Sequence, residues 1–175
     1  MVQDVPRVSV NFSSSPCAME WLNAISESNA VLSTILSVIH PLLYDAGWET
    51  INLLRHTART GPEDVFLRWA STFSGISVIS NRKTIPHHDE YSRYNWYDML
   101  ATTGNYRGCN LELPGLGISL EYGPGTVVGI SGMLLKHAVP CFEGDRVCYA
   151  YFMRNNVHEW ARVPASEWIR TRYYE

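Results

Sequence analysis

The 175-residue sequence has no Cys-x-x-Cys pair, no excess of positive charge, no unbroken apolar run of membrane-spanning length and no low-complexity segment. Each absence removes a class of protein. The four cysteines, Cys17, Cys109, Cys141 and Cys148, lack zinc-finger spacing and read as reduced, buried thiols, so neither structural zinc nor a disulfide framework is expected. Lys+Arg 14 against Asp+Glu 17 gives a net charge of -3 and a pI near 6.1, which excludes a generally basic nucleic-acid surface but leaves room for a local cationic groove. The longest apolar stretch, Ala30 to Tyr44, is interrupted by Ser33, Thr34, Ser37, His40 and Pro41 and is too short to span a bilayer. The opening MVQDVPRVSV shows neither the basic nor the apolar region of a secretory signal. The expectation is an intracellular protein, nuclear or cytoplasmic, that is neither secreted nor membrane-bound.

What is present is a large apolar and aromatic content, 46% and 12%, with six Trp and ten Tyr. A chain of this length buries roughly two-thirds of its unfolded surface, enough for one domain over residues 1–175. The first third has helical periodicity. Ser13 to Pro16 forms a polar cap before Met19, Trp21, Leu22 and Ile25; Val31, Ile35, Val38 and Ile39 follow until His40-Pro41 interrupts them. A third helix is expected over Trp48 to His56, introduced by Asp45-Ala46-Gly47, and Thr60-Gly61-Pro62 closes the helical block at about residue 62.

From about residue 66 to 165 the pattern becomes short Val-, Ile-, Tyr- and Thr-rich runs between turn residues. Strands are expected at Gly75 to Ser80, Asn110 to Leu113, Ile118 to Tyr122, Thr126 to Ile130, Met133 to Val139 and Arg146 to Phe152, with turns at Gly123-Pro124-Gly125, Ser131-Gly132 and Glu143-Gly144-Asp145. The fold class is therefore α+β, mainly β, with a jelly-roll core and N-terminal supporting helices.

The chemistry begins at Asn81-Arg82-Lys83-Thr84-Ile85-Pro86-His87-His88-Asp89. In an extended chain alternate side chains share a face, so His87 and Asp89 converge while His88 points away. One imidazole and one carboxylate make two-thirds of the facial triad that holds non-haem Fe(II) with open positions. His137 follows several strands later, far enough for a β-sandwich to return over the first two residues. Arg146 stands nine residues past His137, across the expected Gly144-Asp145 turn. A fixed guanidinium fork there suits the distal carboxylate of a dicarboxylic acid.

This ordered set resembles the Fe(II)/2-oxoglutarate-dependent dioxygenases of the double-stranded β-helix fold, and within them the fungal branch of the TET/JBP group. The resemblance extends through His40-Pro41-Leu42-Leu43-Tyr44, Tyr97-Asp98-Met99-Leu100, Leu113-Pro114-Gly115-Leu116-Gly117, Tyr122-Gly123-Pro124-Gly125-Thr126-Val127-Val128 and Gly144-Asp145-Arg146. It implies that His87, Asp89 and His137 hold Fe(II) and that Arg146 binds 2-oxoglutarate. With O2 as second cosubstrate, decarboxylation to succinate would be coupled to oxidation of a methylated base, 5-methylcytosine first among them, so DNA is an expected partner. His88 departs from the pattern, standing where many relatives carry Arg, which affects any substrate contact made from that position.

Further residues carry alternative readings. Asn81 lines the cosubstrate pocket or caps a turn, and Arg154, at an even offset from Arg146, is the second choice after it for an oxoanion ligand. Arg82, with Lys83, contacts a phosphate or is a solvated basic pair. Tyr94 and Tyr97, in an aromatic stretch with Tyr91 and Trp96, stack on a flipped base or pack into a barrel wall. Arg93 and Arg107 complete a candidate cationic rim. A prolyl-hydroxylase-like or small-molecule hydroxylase would share the same site, and a non-catalytic β-helix binding domain is the reading of another class.

Overall fold

The computed structural model describes residues 6–57 and 63–174. Thr60-Gly61-Pro62, the expected end of the helical block, lies outside them. The chain divides into two compact units, one of residues 1–74 with 155–175 and one of residues 75–154.

The first unit is helical. It contains α1 (Val10–Ser14), α2 (Ala18–Ala24), α3 (Ser26–Ile39), α4 (Pro41–Thr57), α5 (Glu63–Arg68) and, from the end of the chain, α6 (Asn155–Ala161). The break between α3 and α4 falls at His40-Pro41 as expected. His40 leaves helical geometry at φ -153°, and Pro41 opens α4, where its missing N–H costs nothing. The Leu43 N–H at the start of the new helix is shared between the His40 carbonyl at 3.1 Å and His40 Nδ1 at 3.3 Å. Asp45-Ala46-Gly47 does not introduce a later helix; it lies inside α4, with Ala46 and Gly47 buried. His158, on α6, is also buried, with Nδ1 3.2 Å from the Thr50 hydroxyl. Both histidines are structural. Among the described residues no single helix is long and apolar enough to cross a membrane.

The second unit consists of β1 (Gly75–Ser80), β2 (Thr84–His87), β3 (Asp98–Arg107), β4 (Asn110–Leu113), β5 (Ile118–Glu121), β6 (Val127–Ile130), β7 (His137–Val139) and β8 (Glu143–Phe152). They form two four-stranded sheets with antiparallel pairing, in the orders β1-β8-β3-β6 and β2-β7-β4-β5. Tyr106 of β3 packs in one cluster with Leu111 of β4, Val139 of β7, Cys109, Tyr122 and Phe142, so side chains from both sheets share a core. The strand region is therefore narrower than residues 66–165: it starts at Gly75, ends at Phe152 and is followed by helix α6.

Two expectations change for physical reasons. Met133 to Lys136 do not extend β7, because Leu134 and Leu135 donate their N–H groups back to Ser131 O in a tight turn. Glu143-Gly144-Asp145 is no turn but the start of β8, which pairs with β3 along its length. Gly144 (φ +101°) and Gly104 (φ +123°) are needed because the two backbones approach closely. A β-carbon would lie 2.3 Å from Asn105 O at the first and 2.2 Å from Asp145 O at the second.

Candidate metal centre and cosubstrate pocket

β2 and β7 pair so that His87 and His137 stand directly opposite each other. Cross-strand partners present their side chains on one face, and the two imidazoles lie 4.4 Å apart between ring centroids. Each Nδ1 sits against the carbonyl oxygen two residues before it, His87 on Ile85 O at 2.8 Å and His137 on Leu135 O at 2.9 Å. A carbonyl only accepts, so both Nδ1 atoms carry the proton and both Nε2 lone pairs are left for a ligand. Asp89 completes the set, with Oδ1 3.9 Å from His87 Nε2 and Oδ2 3.6 Å from His137 Nε2. Ligand atoms of all three residues lie within 4.8 Å of one another. Two neutral imidazoles and one carboxylate on one side of a point are the donor set that suits Fe(II), and the residues fit that metal. His88 turns away, its Nδ1 3.1 Å from Met133 O.

A second carboxyl stands behind this group. Asp98 opens β3 at 4% exposure, and burial pushes it up to about 8, with the nearby Asp89 charge acting in the same direction. Nothing in its spacing from the H-x-D pair marks it, since the proximity arises from the fold.

Arg146 lies on β8 and is 3% exposed. Its guanidinium carbon is 5.0 Å from the ring centre of Tyr122, 5.8 Å from that of Phe142 and 5.9 Å from that of Tyr106. Its Nε is buried without a hydrogen-bond partner. The guanidinium hydrogen-bonds the Tyr122 hydroxyl but has no counter-charge, and its unmatched Nε in an aromatic cage fits an incoming carboxylate. Asn81 holds the backbone beneath it: its Oδ1 accepts the Arg146 N–H at 2.7 Å, its N–H donates to Arg146 O at 2.8 Å, and its Nδ2 donates to Asp145 at 3.0 Å. Asn81 adopts a positive φ of 51°.

Next to Asp89 opens a cavity of about 210 Å³ whose lining includes Ile79, Tyr91, Leu100, Phe152 and Arg154. The Arg154 guanidinium rests 4.9 Å from the Phe152 ring centre and 5.8 Å from that of Tyr91. Arg154 thus belongs to this cavity, with ring partners different from those of Arg146. Phe152 was not singled out from sequence, although its even offset from Arg146 on one strand is the signal that places it here.

The other candidates disperse. Tyr94 is exposed and gives its carbonyl to the Ser131 hydroxyl; Tyr97 is half-buried, and neither lines the cavity. Trp96 is 1% exposed and packs as core. Arg82 and Lys83 are exposed, with the Lys83 ammonium 5.6 Å from the Phe142 ring centre. Arg107 is engaged by Glu143 at 2.9 Å, and Arg93 lies over Trp96.

Fold and site together define an oxygenase domain. The family model described as Tet_JBP, the oxygenase domain of the 2OGFeDO superfamily, matches residues 5–155, and the chain belongs to that family. No curated protein matches it significantly. Among solved structures, NgTET1 in complex with 5mC DNA is similar at a TM-score of 0.63 and 18% identity over 95% of this chain. The match covers 61% of that neighbour's chain. At this identity the likeness concerns the fold.

Proposed function

We propose that the domain is an Fe(II)- and 2-oxoglutarate-dependent dioxygenase that oxidises a methylated base in nucleic acid, with 5-methylcytosine in DNA as the first substrate to test. Its strand order supports reading the core as a double-stranded β-helix, with successive strands alternating between the two sheets except β4 and β5, which pair in one. The observation that carries the proposal is the convergence of His87, Asp89 and His137 within 4.8 Å, together with the unmatched buried donor of Arg146.

His87, Asp89 and His137 would hold the metal, which when bound supplies the redox chemistry linking decarboxylation of 2-oxoglutarate to oxidation of a C–H bond. The backbone carbonyls of Ile85 and Leu135 fix the tautomers that leave Nε2 free. Arg146 binds the distal carboxylate and, through its aromatic cage, keeps water from it. The cavity beside Asp89 receives the substrate. At about 210 Å³ it falls below the range of roughly 300–1,000 Å³ common for drug-sized ligands, which favours a single small group such as one flipped base. Phe152 and Tyr91 offer ring faces for it to stack on.

The test is turnover with Fe(II), 2-oxoglutarate and O2 on methylated DNA oligonucleotides, following succinate and the bases by mass spectrometry. Succinate and oxidised base together are expected. Succinate without oxidised base would remove the substrate assignment and point to a protein or small-molecule hydroxylase. Absence of succinate with any methylated nucleic acid, peptide or small-molecule panel would remove the dioxygenase assignment.

A further inference from the structure

Metal-binding carboxylates need their orientation fixed, because a free carboxylate rotates away from its site. Around Asp89 this support comes from one short turn. The Asp89 N–H donates to Gly132 O at 2.9 Å, which holds the backbone. The carboxylate then occupies the space a side chain on residue 132 would take: a β-carbon there would lie 2.2 Å from Asp89 Oδ2 and 3.0 Å from Asp89 Cγ. The same point is 2.9 Å from Asp98 Oδ2, so the two carboxyls meet over the Gly132 α-carbon. Gly132 does not have positive φ, so space alone excludes larger residues. Asp98 is held in turn by the Gly132 amide and the Ser92 hydroxyl.

Two carboxyls held this close repel each other when both are charged, and an apolar residue at position 98 would avoid both that cost and the cost of burial. Its place against Asp89 is therefore better explained by a role at that carboxylate than by packing. We propose that Asp98 is a positioning residue: with Gly132 as its floor, it sets the orientation of the Asp89 carboxylate toward His87 and His137. The inference rests on the metal-centre reading above and assigns the role to residues outside the ligand triad.

Co(II) titration of the metal-free full chain, read by calorimetry and visible absorption, tests it beside thermal unfolding of each variant. Wild type should bind one Co(II) and His137→Ala should not; if wild type fails to bind, the metal-centre reading itself falls. With binding established, Asp98→Ala and Gly132→Ala should each weaken Co(II) about 10- to 100-fold, the usual effect of losing support behind a ligand, and change the Co(II) spectrum. Asp98→Asn keeps the shape and the acceptor for the Gly132 amide, so it should remain within about threefold of wild type. A purely structural role predicts changed unfolding temperature with unchanged affinity and spectrum, and that result overturns the proposal. Loss of affinity only in proportion to loss of folding in both alanine variants overturns it equally.

Discussion

Arg146 and Arg154 leave the same stretch of chain and meet opposite environments. Arg146 is buried in a cage of Tyr106, Tyr122 and Phe142 with its Nε unmatched; Arg154 is exposed and rests on the outer ring faces of Phe152 and Tyr91. A guanidinium withdrawn from water demands a partner of opposite charge and holds it in one geometry. An exposed one remains solvated, so it selects among ligands at small energetic cost. Under the proposed function, the buried end would take the constant ligand, the cosubstrate, and the open end would face the substrate.

The strongest way to break this division acts on the buried end. His137→Ala removes one ligand of the proposed metal site and should abolish 2-oxoglutarate turnover; continued succinate production would refute its role. Arg146→Lys keeps the charge but loses the fork, and should raise the KM for 2-oxoglutarate by about 10- to 100-fold with Co(II) affinity retained. An unchanged KM would dissolve the contrast between the two arginines. At the open end, Phe152→Ala should weaken the DNA substrate by about 10-fold, in keeping with about 1–3 kcal/mol per stacked base, while leaving the 2-oxoglutarate KM alone. Arg154→Ala should cost only a few-fold in substrate KM, and less at high salt, because an exposed charge is screened. His88→Ala, which faces away from the triad, should leave turnover within about twofold; a larger loss would place that side chain in the substrate path.

The approach of His87 to Asp89 was legible because alternate residues of an extended chain share a face, although β2 itself ends at His87. The return of His137 was legible only as a requirement, and the direct β2–β7 pairing that meets it is a tertiary fact. Glycine misled in one place and was uninformative in another. Gly144 signals a turn by composition, yet it marks a crossing of two paired backbones where Gly104 stands opposite Arg146. Gly132 also reads as a turn glycine, while its larger consequence, room for the Asp89 carboxylate, depends on a residue 43 positions earlier. β3 escaped detection as a strand because Thr102, Thr103, Gly104 and Asn105 break its apolar alternation, although it is one of the two longest strands. Phe152 and Arg154 show the reverse case, in which the even offset from Arg146 was available and only the identity of the cavity was missing.

The placement of Arg146 and Phe152 on the single strand β8 makes that strand a ruler. Six residues of extended chain set about 20 Å between their backbones, and continuous pairing with β3 keeps this length from changing. The opposite wall of the cavity, Glu90 to Ser92, belongs to the connection between β2 and β3 and has no such constraint. Under the proposed function, changes in that connection would alter the substrate wall while the spacing from Arg146 to Phe152 stays fixed, so a new specificity would not need to rebuild the oxidation machinery.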